Sequence, residues 1–546
     1  MQTVAYVSDE FDSALSGVAA EFVPAAGSPA TVLHSSPSGA IYGSLAPGRY
    51  RVTLALRGYG SKWVDCELGP DRPHRWRLLS DGMLGYAWPK WVRAGESSEL
   101  RMHAAEEFTL TLWRYGLRKE FVRTIGCFDE HGPRANLQIL PDGDFTQSGV
   151  AWNRTGYPSV PITHLAVAPA RSGLYYFWMR ARDGRSFSFP WVVAPVKPSA
   201  AIAVLASTNT WNAYNNFGGR SNYINPAGLP PRPSVNARQD LSRYVPPAEV
   251  WSPADHDFQP LTFDRPEPFN HIFDSSPWDA TGITGPSGGR VQSGLAPGEW
   301  RLLGWLEQEG FSYDYYADAQ LHDGTLPLDA YRVLILTVHP EYWSRAMFVR
   351  VKEWVRERGG RLAYLGGNGL NCEVVLERDT MRCVSHVNSF RYGLGGSDDA
   401  DPSRRYESRM QRTFEPEASM LGVATTDVGL MTAAPYRVLR AGHWAFDGTG
   451  LADGETFGHT TLHERVPGGA SGHETDIITP SSPPNLEHLA KGENPNQGGA
   501  DLVYYRHPSG GEVFSAGSMT WIPALFTDGA VARITRNVLA RWTAAE

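Results

Sequence analysis

The sequence has 546 residues, which is more than one hydrophobic core usually supports, so it predicts two to four domains. Hydrophobic residues make up 42% and charged residues 20%, as in ordinary globular proteins. The 50 basic and 58 acidic residues give a net charge of −8 without a long basic block, which argues against nucleic acid or an anionic membrane as the main partner.

Cysteines and apolar runs indicate the cellular setting. The 4 cysteines are scattered without a CxxC pair, so we expect neither a disulfide framework nor a cysteine zinc site. No apolar run approaches the ~18 residues of a membrane span. The start "MQTVAYVSDEFDSALSG" lacks the basic and apolar regions of a secretory signal. We therefore expect no signal peptide, no membrane span and a cytoplasmic location.

The first part of the chain reads as short strands separated by turns. Segments such as "RYRVTLAL" and "HRWRLLS" predict a β-sandwich domain over residues 1–85. Segments such as "EFTLTLWRYG" and "SGLYYFWMRARDG" predict a second, immunoglobulin-like β-sandwich over residues 86–197. We expect no helix of convincing length before residue 200.

After the linker "VAPVKPSAA" the pattern changes to alternating strands and helices. The apolar runs "AIAVLAS", "YRVLILTVH" and "RLAYLGGNG" are typical of parallel strands buried on both faces. "EWRLLGWLEQEG" and "RAMFVRVKEWVRERGG" have helical periodicity, and two glycines end the second. This order predicts a doubly wound α/β domain over residues 198–546. The Gly- and Pro-rich stretches 208–297 and 395–501 are predicted to be long loops that cover or line a site.

Polar side chains follow three of the predicted strands, in "TNTWNAYNNFGGRSNY", "HPEYWS" and "GGNGLNC". In a parallel sheet these ends meet at one edge, so we expect Tyr214, His339, Glu341 and Asn368 to converge there. His339 and Glu341 are two residues apart, and on an extended segment they point the same way. Both then reach one metal ion, or one binds it while the other handles protons. A tyrosinate ligand from Tyr214 would favour ferric iron.

Covalent catalysis is disfavoured by the turns after the strands. A Gly-x-Cys-x-Gly elbow would be expected on a glutamine-amidotransferase-like fold, but Asn368 stands where the nucleophile would be in "GGNGLNC". Cys372 lies further on, and we interpret it as a packed thiol. A Gly-x-Ser-x-Gly elbow is also absent from the sequence.

A run of motifs over roughly residues 198–546 resembles the large subunit of N,N-dimethylformamidase. The motifs occur in the same order and are "TWNAYNNFGGRSNY", "FDRPEPF", "WLEQEGFSYDYYADAQLH", "HPEYWS", "YLGGNG" and "GGEVFSAGSMTW". The resemblance implies β-sandwich domains joined to a C-terminal glutamine-amidotransferase-like α/β domain. It also implies hydrolysis of small amides by a mononuclear ferric ion held by two tyrosines and one glutamate, with a histidine next to that glutamate.

Carried over residue by residue, the resemblance makes Tyr214 and Glu341 metal ligands and His339 the neighbouring histidine. The third ligand departs from the family pattern, because a tyrosine is expected in "DRPY" and this chain reads "DRPEP". Glu267 occupies that place, with Tyr244 as the alternative donor. A further alternative is that Glu267 pairs with Arg265 and binds no metal. A second carboxylate would also suit ferrous iron, manganese or zinc.

These observations predict a metal-dependent hydrolase that cleaves the C–N bond of a small, formamide-like amide with a metal-activated water. His339 would move the proton and Asn368 would donate a hydrogen bond to the oxyanion. We expect a compact aromatic pocket lined by Trp211, Asn215, Phe217 and Tyr342. The expected partner is the small amide substrate. We expect a homo-oligomer. The resemblance also implies a small helical subunit, and because no helical segment of that kind is fused to this chain, a separate small accessory subunit is left open.

Two other functions remain open. Two sandwich domains and abundant aromatic residues would suit a carbohydrate-binding or scaffold protein with a catalytically silent α/β domain. A zinc peptidase or amidase is weakened because no HExxH motif appears. The segment "GHETD" offers His473, Glu474 and Asp476, but it lies in a long polar stretch. We interpret that segment as structural or as part of a lid.

Overall fold

The computed structural model describes residues 2–70, 72–128, 137–153, 163–222, 229–235, 259–272, 295–384, 409–463 and 465–544. This part of the chain is mostly β, with several sheets and few helices. Tyr244 lies outside the described residues. Among the described helices, none is long and apolar enough to cross a membrane.

The N-terminal strands form two sheets around one core. The strands are β1 (Gln2–Ser8), β2 (Ala19–Pro24), β3 (Thr31–His34), β4 (Ala40–Gly43), β5 (Gly48–Leu56), β6 (Gly60–Leu68) and β7 (His74–Arg77). One sheet has the order β4-β1-β7 and the other β3-β2-β5-β6. Alternate residues of β5 (Tyr50, Val52 and Leu54) are buried against Val7 and Trp76 of the facing sheet. This alternation is what a half-exposed sandwich strand requires.

A second pair of sheets encloses a separate core. Its elements are β8 (Leu84–Trp88), β9 (Trp91–Arg93), β10 (Ser97–His103), β11 (Phe108–Tyr115), β12 (Lys119–Phe128), α1 (Phe145–Ser148), β13 (His164–Val167), β14 (Gly173–Ala181) and β15 (Ser186–Ala194). The sheet orders are β13-β10-β8 and β12-β11-β14-β15-β9. Before residue 200, the described part of the chain contains only the four-residue helix α1. The strand-rich prediction for this region is confirmed.

The rest of the chain combines strands and helices. The helices are α2 (Thr208–Tyr214), α3 (Ala296–Gln308), α4 (Asp318–His322), α5 (Arg345–Arg358), α6 (Arg409–Thr413), α7 (Ala418–Leu421), α8 (Trp521–Ala524) and α9 (Gly529–Thr543). The strands are β16 (Ile202–Ala206), β17 (Leu261–Thr262), β18 (Tyr313–Ala317), β19 (Val333–Leu336), β20 (Tyr342–Trp343), β21 (Arg361–Tyr364), β22 (Cys372–Glu377), β23 (Thr380–Cys383), β24 (Ala424–Thr426), β25 (Ala433–Ala434), β26 (Tyr436–Val438), β27 (Thr456–Phe457), β28 (Ser471–Gly472), β29 (Thr475–Ile477), β30 (Glu487–Gly492), β31 (Asp501–Arg506) and β32 (Glu512–Ser515). Single 3-10 turns lie at Pro268–Asn270, Leu328–Ala330, Trp444–Phe446 and Pro495–Gln497.

A nine-stranded sheet organises this region, with the order β18-β16-β19-β21-β32-β31-β30-β26-β27. The strands from β18 to β32 are parallel, and those after β32 pair antiparallel. In chain order the parallel part reads 2-1-3-4-5, which is the order of a doubly wound sheet. Such a sheet reverses its winding between the first and third strands, here β16 and β19, and ligands bind above that point.

Both faces of the sheet are covered. Alternate residues of β16 and β19 pack on α3 and α9 on one face, for example Val204 and Ile335 with Trp305. The intervening residues pack on α5 on the other face, for example Leu205 with Val351. Helix α5 begins at the cap Ser344, whose Oγ accepts from the Met347 N–H, and ends at Gly359 with φ of 73°. The two glycines after this helix therefore end it, as the sequence predicts.

The loop predictions are partly wrong. The stretch 208–297 begins with helix α2, and the described residues of 395–501 contain strands that extend the sheet beyond β32. These strands are short and polar, for example "EHLAKG" in β30, so their sequences lack the apolar alternation by which strands are recognised. Neighbouring strands decide their conformation.

Candidate functional site

The candidate site lies where the sheet changes its winding direction. Helix α2 follows β16 directly and carries Tyr214 as its last residue. His339 and Glu341 lie in the loop that follows β19. The Glu341 N–H donates to Thr210 Oγ1 at 3.1 Å, which ties the β19 loop to α2. The two predicted halves of the site therefore meet.

Glu341 lies at the centre of the cluster and is fully buried. Tyr214 Oη donates to Glu341 Oε2 at 3.0 Å. His339 Nε2 lies 3.2 Å from the same oxygen, and the rings of Tyr214 and His339 meet edge to face with centroids 5.5 Å apart. The buried thiol of Cys372 lies 3.9 Å from Glu341 Oε1. The structure thus brings together the phenol, carboxylate and imidazole that the sequence placed at one edge.

Glu474 completes the cluster from a distant part of the chain. Its Oε2 lies 2.9 Å from His339 Nε2 and accepts a 2.8 Å hydrogen bond from Asn368 Nδ2. Burial alone would lower the pKa of His339, but the neighbouring carboxylates of Glu474 and Glu341 outweigh it and raise the pKa to about 10. Although burial opposes it, the His339 charge holds the pKa of Glu474 well below its usual range. At neutral pH the two form an ion pair in which His339 is buried and Glu474 is half-buried.

The sequence does not single out Glu474, because the pattern of "GHETD" favours a structural or lid segment. The segment connects β28 to β29, and its backbone is fixed by Met519, whose N–H donates to the Glu474 carbonyl at 3.3 Å. Its neighbour His473 has φ of 64°, a left-handed conformation that is uncommon outside glycine. A histidine beside two acids in a polar segment was the only signal in the sequence.

Asn368 is held at the end of β21 by a buried aspartate. Its N–H donates to Asp476 Oδ1 at 2.9 Å, and Tyr364 Oη donates to Asp476 Oδ2 at 2.6 Å. Burial raises the pKa of Asp476 to about 7. The second Asn368 Nδ2 contact is His339 Nε2 at 3.5 Å, which is long for a hydrogen bond. One N–H of this amide is therefore only weakly engaged beside His339.

The four predicted pocket residues are divided by the structure. Tyr342 lies beside Tyr214 with ring centroids 6.4 Å apart, and its hydroxyl accepts from Asn222 Nδ2 at 2.7 Å. Phe217 is fully buried in the core of the second sandwich, where it packs on Phe11, Phe145 and Trp152. The rings of Tyr342 and Phe217 therefore pack in different places and do not line one pocket.

Trp211 and Asn215 hold the local backbone. Trp211 is buried and its Nε1 donates to Glu299 at 3.0 Å. Asn215 Nδ2 donates to the Pro266 carbonyl at 2.8 Å, and its Oδ1 accepts from the Phe217 N–H at 3.1 Å. Their described contacts are those of packing residues, and contact with a substrate stays a prediction.

Glu267, the predicted third ligand, has partners of its own. Its Oε1 forms a 2.6 Å ion pair with Lys90 Nζ, and its Oε2 accepts from Asn270 Nδ2 at 3.0 Å. Both side chains of the ion pair are buried. The alternative pairing with Arg265 is wrong, because that guanidinium donates to backbone carbonyls and to Asn212. Metal binding by Glu267 stays a prediction, as does the alternative donor Tyr244.

The comparison with known proteins decides the family. Residues 113–532 match the family model described as "N,N-dimethylformamidase beta subunit-like, C-terminal". The chain belongs to this dimethylformamidase family. The N,N-dimethylformamidase beta subunit of Paracoccus aminophilus is 26% identical over 288 residues, which cover 45% of this chain and 36% of the relative. The beta subunit from Alcaligenes sp is 25% identical over 285 residues, covering 44% of this chain and 36% of the relative. The chain therefore spans about a third of the length of these relatives, and they are beta subunits by name.

Similarity to solved structures is weak. The Bacillus anthracis TIE protein is 13% identical with a TM-score of 0.12, and the match covers 38% of this chain and 36% of that one. A putative carbohydrate binding protein from Bacteroides uniformis is 12% identical with a TM-score of 0.13, covering 34% and 91% of the two chains. Scores this low carry no argument about this dimethylformamidase family member.

The phenol of Tyr214 and the carboxylate of Glu341 are oxygen donors of the kind that hard metal ions bind. Two ligands bound at right angles about 2.0–2.1 Å from an ion lie about 3 Å apart. The 3.0 Å between Tyr214 Oη and Glu341 Oε2 is of that size, and it is also the length of the hydrogen bond that the two groups form. In the described part of the chain, no group of three or more His, Cys, Asp and Glu side chains is arranged to hold a metal. A site in which the Tyr214 hydroxyl is one of the ligands is not a group of that kind.

Proposed function

We propose that this chain hydrolyses the C–N bond of a small, formamide-like amide in an iron-dependent reaction. Membership of the dimethylformamidase family supports the reaction class. The observation that carries the proposal is the cluster above β16 and β19, in which Glu341 contacts Tyr214 and His339, and His339 contacts Glu474. A phenol, two acids and an imidazole joined by successive hydrogen-bonding contacts are a suitable set for binding a metal and moving a proton.

Tyr214 and Glu341 would hold the metal in this proposal, with Glu267 as the proposed third ligand. Phenolate and carboxylate oxygens are hard donors, which favour Fe³⁺, while a divalent metal is the alternative. A bound ion would polarise the amide carbonyl and lower the pKa of a water molecule. The buried position of Glu341 would strengthen these electrostatic effects, because little water is present to screen them.

His339 and Glu474 would handle the proton. Because His339 begins protonated beside Glu474, 2.9 Å away, its proton would pass to the departing amine nitrogen, and the neutral imidazole would then take the proton of the next attacking water. The weakly engaged N–H of Asn368 would donate to the oxygen that becomes negative when water adds to the carbonyl carbon. Tyr342 would form part of the wall beside Tyr214.

The assembly and location are also proposed. The matched relatives are named as beta subunits, which supports a multi-subunit enzyme. We propose a homo-oligomer that can take a small accessory subunit, and a cytoplasmic location, which fits the finding that none of the described cysteines forms a disulfide. The doubly wound strand order is compatible with the glutamine-amidotransferase-like class that we propose for the α/β domain.

The test is hydrolysis of N,N-dimethylformamide by the purified, iron-reconstituted chain, followed as release of dimethylamine and formate. Glu341→Gln is expected to abolish turnover together with stoichiometric iron. The control is Tyr175→Phe, which removes a hydroxyl bonded to the Arg171 carbonyl at 2.7 Å in the second sandwich and should leave turnover unchanged. Glu341→Gln with full turnover would contradict the proposal, as would a wild-type chain that hydrolyses no small amide with iron bound.

A further inference from the structure

A fully buried carboxylate, Glu299, lies beneath the candidate site in the first turn of α3. Its Oε1 accepts hydrogen bonds from the Ser207 N–H and from Trp211 Nε1, both at 3.0 Å. Its Oε2 accepts from Tyr315 Oη on β18. One side chain of α3 thus joins the end of β16, helix α2 and strand β18.

Core filling does not explain this residue. Burying a carboxylate costs free energy that an apolar side chain of the same size would not cost. Burial raises the pKa of Glu299 to about 7, against the effect of its hydrogen-bond donors. The donors need an acceptor, because Ser207 and the Trp211 indole are both buried. The carboxylate therefore supplies the acceptor for both N–H groups, while Asp318 accepts from the Asn209 N–H in the first turn of α2.

Two of these bonds, those from Ser207 and Trp211, connect Glu299 to segments that carry site residues. Trp211 precedes Tyr214 by one helical turn on α2. Ser207 Oγ contacts Thr337 Oγ1 at 3.1 Å, and Thr337 lies two residues before His339 on the β19 loop. The start of α2 therefore links Glu299 to the tyrosine and to the histidine.

We infer that Glu299 is a positioning residue, whose carboxylate fixes α2 against β16 and β19 so that Tyr214 meets the loop carrying His339 and Glu341. The effect of Glu299 on turnover rests on the proposed function. The effect of Glu299 on the position of α2 is independent of that function.

The chain offers a matched control. Glu512 at the amino end of β32 also accepts from a tyrosine hydroxyl and a tryptophan N–H, namely Tyr504 Oη at 2.6 Å and Trp542 Nε1 at 3.0 Å. The candidate site lies at the carboxyl ends of these parallel strands, so Glu512 is at the opposite edge of the sheet. Glu299→Met and Glu512→Met therefore both remove a tyrosine and a tryptophan hydrogen bond, and Glu512→Met also removes a 3.3 Å ion pair with Arg361, so the control is at least as large a change to the packing. Glu299→Gln keeps one carbonyl oxygen for Ser207 and Trp211.

The first measurement is hydrogen exchange on the metal-free proteins, followed by mass spectrometry of peptides spanning residues 207–216 and 337–343. Glu299→Met should accelerate exchange in both peptides, Glu512→Met in neither, and Glu299→Gln should restore most of the protection. If Glu299→Met does not fold, Trp211→Phe removes a single donor and should accelerate exchange at residues 207–216. Unchanged exchange at α2 in the folded variant would overturn the inference.

The second measurement is kcat of the iron-loaded proteins. Glu299→Met should lower kcat on the order of 10²-fold, the effect of a displacement of about 1 Å at a reacting group, while Glu512→Met leaves it unchanged. Equal losses in the two methionine variants would overturn the inference, because a general loss of packing would then explain both. A wild-type protein without amidase activity would end the proposed function, while the exchange comparison would still decide the positioning role.

Discussion

Replacing Lys90 with methionine tests what Glu267 does. In the structure Lys90 Nζ is 2.6 Å from Glu267 Oε1, and both side chains are buried. Burial lowers the pKa of Lys90, and Glu267 opposes that shift, so the lysine charge depends on its partner. Removing one partner of a buried ion pair leaves an uncompensated charge and costs about 3–5 kcal/mol. Replacing both partners by apolar residues of similar volume is often neutral. Lys90→Met should therefore destabilise the protein, and Lys90→Met with Glu267→Met should recover most of the loss.

The assay is urea unfolding of the wild type, both single variants and the double variant, with iron content measured on the same samples. A structural ion pair predicts a coupling free energy of about 3 kcal/mol between the two positions and iron retained in Glu267→Met. If Glu267 is instead the proposed third metal ligand, Glu267→Met loses iron and Lys90→Met costs little. A coupling free energy near zero would refute the reasoning from the buried pair.

Three further predictions test the site and its support. Glu474→Gln should lower kcat on the order of 10²-fold with iron content unchanged, because Glu474 contacts His339 and not Tyr214 or Glu341. Loss of iron in this variant would contradict a role in proton transfer. Gly367→Ala should lower both kcat and the melting temperature, since an added Cβ would overlap the Glu474 carbonyl oxygen and lie 2.7 Å from the Met519 nitrogen. In the control Gly529→Ala the added Cβ meets nothing within 4 Å, so kcat and the melting temperature should stay unchanged. His103 is neutral in the folded protein because burial lowers its pKa from 6.5 to about 4, so the unfolded chain binds the extra proton. This contribution to stability is therefore complete above about pH 6.5 and is lost, by up to about 3 kcal/mol, as the pH falls towards 4. His103→Gln should flatten that part of a urea-midpoint profile between pH 7 and 4.5, and an unchanged slope would contradict the assignment.

The sequence could predict those parts of the fold that local pattern decides. Apolar runs such as "AIAVLAS" favour a buried strand, and a glycine after a helix favours its end, in most surroundings. The structure has β16 and the end of α5 at these predicted positions. The convergence of Tyr214, His339 and Glu341 also followed, because parallel strands bring their carboxyl ends to one edge.

Contacts between distant segments could not be predicted in this way. Glu474 reaches His339 because the segment between β28 and β29 is fixed by the loop after β32, and nothing in "GHETD" itself indicates that partner. Lys90 meets Glu267 across 177 positions, so the pair is visible only when the two chain segments are folded. Phe217 follows a predicted site loop in sequence, yet it packs in the core of the second sandwich.

The measurement that tests the central claim most directly is metal analysis of the purified chain together with its visible absorption spectrum, in the wild type and in Tyr214→Phe. The account predicts about one iron per chain and a tyrosinate-to-iron band that disappears in Tyr214→Phe, because the Tyr214 hydroxyl lies 3.0 Å from the Glu341 carboxylate with which it would share the ion. A wild-type protein that takes up no stoichiometric metal after reconstitution, or a band that persists in Tyr214→Phe, would contradict it.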